Sequence, residues 1–120
     1  MEILVKTMIL KTKKLKENVT FIKPVNFDSF SNNEIVETVR NYLLSDSSYQ
    51  NIILDLTGMN FLCSVRIGSL IATYHFIEFV YGKIYIIVDD LQAKDLIHVM
   101  ALDNVVIVYN KNPVNIANIA

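Results

Sequence analysis

Apolar residues recur along this chain in two different periods, and the switches between them mark its elements. Ile52, Ile53, Leu54 and Leu56 form a short run rich in β-branched side chains, which predicts a buried strand over Asn51–Leu56. Lys83–Val88 and Val105–Tyr109 read the same way, as fourth and fifth strands. Ile3–Lys11 carries Ile, Leu, Val and Met and predicts a first strand. Val19–Val25 predicts a second, which Pro24 ends or places near an edge. Between these two, Lys11–Lys14 with Lys16, Glu17 and Asn18 reads as a solvated turn rather than a binding patch.

Helical periods fill the gaps. Ser31 followed by Glu34 predicts a capping box, and Ile35, Val36, Val39, Tyr42 and Leu43 supply the apolar face behind it. Ser45–Ser48 ends that helix in a polar loop. A second helix is predicted over Arg66–Val80, stopped by Gly82. Its stripe is Ile67, Leu70, Ile71, Tyr74 and Ile77, while Phe76, Phe79 and Val80 fall largely off it. That surplus fits a helix wedged between sheet and neighbouring helix, or one whose outer aromatics meet a partner. A third helix is predicted over Asp90–Leu102 with Leu91, Leu96, Ile97 and Met100 inward, and a short one over Pro113–Ile119.

Strands alternating with helices call for parallel pairing and right-handed crossovers. The expected fold is α/β: a mixed sheet of about four to five strands covered by helices on one face, with the first two strands as a ribbon at the side. No internal repeat or composition shift divides the 120 residues, so residues 1–120 read as a single domain.

Composition narrows the partners. Hydrophobic residues make up 52% and charged residues 19%, which suits a covered sheet or a domain that hides surface against a partner. A net charge of −1 gives no electrostatic case for nucleic acid or an anionic membrane. No apolar run approaches the ~20 residues needed to span a bilayer, and no secretory signal is visible, so the expected location is cytoplasmic. The single Cys63 excludes an intrachain disulfide and a cysteine-rich zinc site.

The junction after the third strand concentrates the candidate chemistry. The strand ends Asp55-Leu56-Thr57, and Gly58 and Asn60 break the pattern before Phe61 and Leu62. Ser64 then precedes the helical period, where its hydroxyl can cap the helix and where a phosphate would be favoured. Asp55 is either a hydrogen-bond acceptor that fixes this loop or part of a partner-facing surface.

These residues resemble the STAS domain of the anti-sigma factor antagonist family. The family has a strand ending Asp-Leu/Met-Ser, a short apolar loop, Asp-Ser-Ser-Gly-Leu-Gly, then an amphipathic helix. Here the signature position reads Cys63-Ser64-Val65-Arg66-Ile67-Gly68. Ser64 falls on the serine that an anti-sigma kinase phosphorylates and Gly68 on the second glycine. Cys63, Val65 and Arg66 replace the aspartate, the second serine and the first glycine. The resemblance continues through Gly82–Val88 and Leu96–Asp103, about the last two-thirds of the chain.

The resemblance implies a STAS-like fold and a bacterial signal-transduction role in transcription regulation. It implies a serine-kinase anti-sigma factor and a PP2C-type phosphatase as partners, with phosphorylation of Ser64 abolishing binding. The partner surface would comprise Asp55, Thr57, Asn60, Cys63, Ser64, Arg66, Ile67 and Gly68. A homodimer is left open. The alternative is a STAS scaffold or ligand-binding module without a phosphoswitch, in a transport or stress-signalling assembly.

Other chemistry is sparse. His75 and His98 lack metal-site spacing and read as ordinary helical histidines. Asp89 and Asp90 read as a cap for the third helix, with a cation site as the alternative. Cys63 could be activated by a helix N-terminus, but no histidine lies near it in sequence. Gly58 and Gly68 do not make a phosphate loop, and no Ser-His-Asp set can be assigned. The expectation is a protein-binding domain, with no enzyme activity, cofactor or metal.

Overall fold

Five strands stand side by side in chain order in the computed structural model, which describes residues 10–16, 18–45, 51–79 and 82–110. They are β1 (Leu10–Lys16), β2 (Val19–Pro24), β3 (Asn51–Asp55), β4 (Ile84–Val88) and β5 (Val105–Tyr109). β1 pairs antiparallel with β2, and the pairs β2–β3, β3–β4 and β4–β5 are parallel. Each parallel link carries one helix: α1 (Asn32–Leu44), α2 (Phe61–Glu78) and α3 (Leu91–Met100). With the strands in chain order and crossovers of one hand, all three helices lie on the same face. The expected α/β fold is therefore present, with its five-stranded mixed sheet, and the arrangement is consistent with a STAS-like fold.

The pleat explains the core. Ile22, Ile52, Leu54, Ile84, Ile86 and Val88 point to the helix side, where they meet Ile35, Val39 and Leu43 of α1, Ile67 and Ile71 of α2, and Ile97 of α3. Each such side chain stabilises the fold by roughly 1.5–3 kcal/mol. The alternate positions Phe21, Ile53 and Ile87 form a smaller cluster on the other face, with Leu15 and Val19. Among the described residues, no helix is long and apolar enough to cross a membrane.

Several expected elements are corrected. The basic run Lys11–Lys14 is not a turn: it is the body of β1, with its side chains exposed on an edge strand. An edge strand can keep its lysines in water while its backbone bonds to β2, so charge did not exclude a strand. Most of the expected strand over Ile3–Lys11 lies outside the described residues, as does the C-terminal helix over Pro113–Ile119. The α1 capping box is present: Glu34 N–H donates to Ser31 Oγ at 3.1 Å and Ser31 N–H to Glu34 Oε1 at 3.0 Å.

α2 begins five residues before the expected Arg66 and ends at Glu78, capped by Phe79 rather than stopped by Gly82. Phe79 is buried and stacks on His75 at 5.4 Å, whereas Ile77, expected inward, is exposed. Val80 lies outside the described residues. On α3 only Ala93 and Ile97 are buried, while Leu91, Leu96 and Met100 face outward. Asp90 caps that helix by accepting Ala93 N–H at 2.9 Å, and helical spacing from Ala93 to Ile97 then sets the inward face.

Candidate functional site: the β3–α2 junction

The junction is built on a buried polar bracket. Asp55 ends β3 with its side chain fully buried. Its Oδ1 accepts Thr57 N–H at 2.9 Å and the Thr57 hydroxyl at 2.7 Å. Its Oδ2 lies 3.3 Å from Lys23 Nζ, and Lys23 also donates to Thr57 Oγ1 at 2.7 Å. Of the two roles open to Asp55, loop fixing is the one its contacts make; its side chain offers no surface to a partner. A carboxylate in this position is stable only because it is paired and hydrogen-bonded.

The chain then turns. Met59 N–H donates to Leu56 O at 3.2 Å, and Gly58 holds φ +89° in the third turn position. A type II turn requires positive φ there. A Cβ on Gly58 would meet only Phe27 at 3.9 Å, so the backbone angle and not space selects glycine. Gly58 N–H donates to Asp89 Oδ2 at 2.8 Å, tying the loop to the end of β4.

Asn60, not Ser64, is the N-cap of α2: its Oδ1 accepts Cys63 N–H at 2.9 Å. Ser64 lies inside the first turn, where its amide already donates to Asn60 O at 2.9 Å. Its side chain is fully buried, and its hydroxyl donates to Met59 O at 3.3 Å. Ser64 therefore does not cap the helix, although its place before the helical period predicted a cap, and its hydroxyl is out of contact with solvent. The cause is the register of the helix: starting at Phe61 turns Ser64 toward the sheet with Ile67, Gly68 and Ile71.

The remaining residues of the expected surface divide. Asn60 and Arg66 are exposed and Cys63 is half-buried. Thr57, Ile67 and Gly68 are buried. Gly68 serves packing: a Cβ there would come within 3.2 Å of Ile97 and 3.4 Å of Leu56. Beside the junction a cleft of about 290 Å³ opens between the Phe27–Ser29 turn and α2, lined by Phe27, Phe30, Asn60 and Cys63 among others. Cys63 has no base supplied from its own helix, since His75 lies ~18 Å farther along α2. His75 is buried instead, 3.0 Å from Asn104 Nδ2, which also donates to Ala72 O and so pins the α3–β5 turn to α2. Among the described residues no His, Cys, Asp and Glu cluster could hold a metal ion.

The sequence reading missed Lys23, and it drew the outer face of α2 from Phe76, Phe79 and Val80, of which Phe76 is exposed and Phe79 is buried. Lys23 and Asp55 are each the lone charge inside an apolar strand, a signal that could have paired them. The outer face follows once the helix starts at Phe61: Leu62 is 73% exposed and Ile77 65%, with Leu70 and Phe76 exposed between them and Arg66 among them. Comparison with known proteins gives no match to any family model, curated protein or solved structure.

Proposed function

We propose that this domain is a STAS-like protein-interaction module that binds its partner through the outer face of α2 and the junction ahead of it, without a phosphoswitch at Ser64. The observation that carries this reading is the exposure of Leu62, Leu70, Phe76 and Ile77 on the central helix of the layer. A helix that is apolar all round is normally buried all round. α2 is covered by the sheet and by α1 and α3, and its fourth side carries apolar residues into solvent, as an interaction surface does. The buried bracket beneath supplies a rigid base for that surface.

The burial of Ser64 supports the non-switching form over the switching form. A kinase needs the hydroxyl in its own active site, and here the first turn of α2 would have to unwind to deliver it. A phosphate at that position would bring about −1.5 to −2 charges into an apolar core. A scaffold or ligand-responsive module of a signalling or transport assembly fits the site as it stands, and a serine-kinase anti-sigma factor is the partner class that the STAS resemblance names.

The test is a binding assay with such purified kinases, comparing the wild type, Ser64→Ala and Leu62→Glu/Ile77→Glu. Binding by the first two and loss in the third is expected, with no phosphate on Ser64 by mass spectrometry after incubation with ATP. Equal binding by the surface variant, or binding by none, refutes the proposed surface or partner class. Stoichiometric phosphate on Ser64 of the folded protein restores the switch.

A further inference from the structure

We propose that the helix-free face of the sheet binds a free fatty carboxylate, with its aliphatic chain in a groove across the strands and its head among the lysines of β1. Parallel strands are ordinarily covered on both faces. Here the three helices cover one face, and Phe21, Ile53 and Ile87 form a second apolar cluster on the other. A groove of about 380 Å³ runs over that cluster. Ile53 and Ile87 form its floor, Leu15 and Val19 one end, and Tyr85 and Val108 the other. Small-molecule sites occupy ~300–1,000 Å³, and the run from β1 to β5 spans ~19 Å at ~4.8 Å per strand spacing, room for an extended chain laid crosswise.

β1 selects the head group. Its register places Lys11 beside Lys23, Lys13 beside Phe21 and Lys16 beside Val19, so three of its four lysines share the face of the groove. Strict alternation would have sent Lys16 to the helix side with Lys14. The bulge between Lys14 and Lys16 adds one residue, and Leu15 and Lys16 both line the groove. The one carboxylate that the strands turn to this face is Asp55, which is buried against Lys23. Lys11, Lys13 and Lys16 are exposed and enter no ion pair among the described residues.

An apolar groove with a cationic margin takes an apolar body that carries an anion. Other occupants match that margin less well. A second copy would set three lysines against three. Residues 1–9 carry Glu2 and Lys6, and residues 111–120 have Lys111 as their one charged side chain, so neither stretch brings net negative charge. The groove lies on the opposite side of the sheet from α2 and does not rest on a partner bound there.

Isothermal titration calorimetry of the full chain with decanoate, below its micelle concentration, tests the site. One molecule per chain is expected, with decanol bound about tenfold more weakly and acetate not bound. Lys13→Ala/Lys16→Ala, at two exposed positions, is expected to weaken decanoate about tenfold and leave decanol unchanged. Val108→Trp, also at an exposed position, is expected to fill the groove and abolish both, with an unchanged circular dichroism spectrum. A wild type that takes up no decanoate overturns the proposal, as it would if a segment of the chain or a second copy filled the groove. Uptake unchanged by Val108→Trp overturns the location, and uptake unchanged by the lysine variant overturns the carboxylate head. Tighter binding to phosphatidylglycerol vesicles or to polyglutamate than to decanoate overturns the fatty carboxylate in favour of a membrane surface or an acidic peptide.

Discussion

The two long helices start in opposite ways. α1 is begun by Ser31 and Glu34, three residues apart and both exposed, which satisfy each other's amides. α2 is begun by Asn60, but the loop that presents Asn60 is held by Lys23 on β2, Asp55 on β3 and Asp89 after β4. The first start is local and costs nothing elsewhere when it is lost. The second exists only after three strands have assembled, and it turns a loop into a fixed part of the sheet. Substitutions at the two starts should therefore differ in reach as well as in size.

Position 64 should show the largest contrast. Ser64→Asp places a carboxylate where the side chain has no solvent and only a carbonyl as neighbour partner. We expect a loss of about 4 kcal/mol or more in denaturant unfolding. Ser31→Asp, at the exposed cap, should change stability by less than ~0.5 kcal/mol, since aspartate caps as well as serine. A binding defect in Ser64→Asp would then report unfolding and not a mimic of phosphate. A Ser64→Asp protein as stable as the wild type would contradict the burial of this side chain.

Asp55 comes next. Asp55→Ala removes the acceptor for Thr57 and leaves the Lys23 ammonium without its counter-ion. Lys23 keeps some contact with water, with 23% of its side chain accessible, which moderates the cost. A loss of about 3 kcal/mol is expected by urea titration, against ~1 kcal/mol for Ser31→Ala. Amide exchange should separate the two further: Asp55→Ala should speed exchange at Gly58 and Met59 as well as in the first turn of α2, while Ser31→Ala should affect the first turn of α1 alone. Gly58→Ala ranks third, at about 1–2 kcal/mol, because an L side chain at φ +89° strains the backbone without meeting an obstacle.

The same contrast explains what could be read from the chain. The α1 start was legible because both of its partners lie within one turn of sequence. The strands β3, β4 and β5 were legible because a buried strand needs an apolar run and little else. The α2 start was misread because Ser64 is a good capping residue by type, and only the Leu56–Met59 turn decides that Asn60 occupies the cap. The basic strand β1 was misread because lysine is a poor strand former in isolation yet well placed on an edge. The α3 phase was misread because Leu91, Leu96 and Met100 look like core residues, whereas Ala93 and Ile97 make the close approach. For β1 the deciding contact is with a neighbouring strand, whereas for the starts of α2 and α3 it is a local turn or cap whose residue types do not single it out.

The smallest expected effect lies where the two helices touch. Arg40 of α1 sits over the Tyr74 ring of α2, 4.9 Å from its centroid. Burial raises the Tyr74 pKa above its usual 10.0, and the Glu78 carboxylate, with a lesser contribution from Glu37, adds to the rise. Arg40 opposes it by favouring the phenolate. The folded state therefore binds this proton more tightly than the unfolded state. The resulting stability is complete below the unfolded tyrosine value and is lost as pH rises through the higher folded value. Tyr74→Phe should leave stability near neutral pH almost unchanged and flatten the alkaline end of the stability–pH curve. Thermal melts at pH values on either side of 10.0 measure this directly. Glu78→Gln should shift the alkaline loss upward in stability less than Tyr74→Phe does, because it removes only the second cause of the shift. An alkaline slope identical in wild type and Tyr74→Phe would show that the α1–α2 contact carries no linked proton, and that the difference between the two helices lies wholly at their starts.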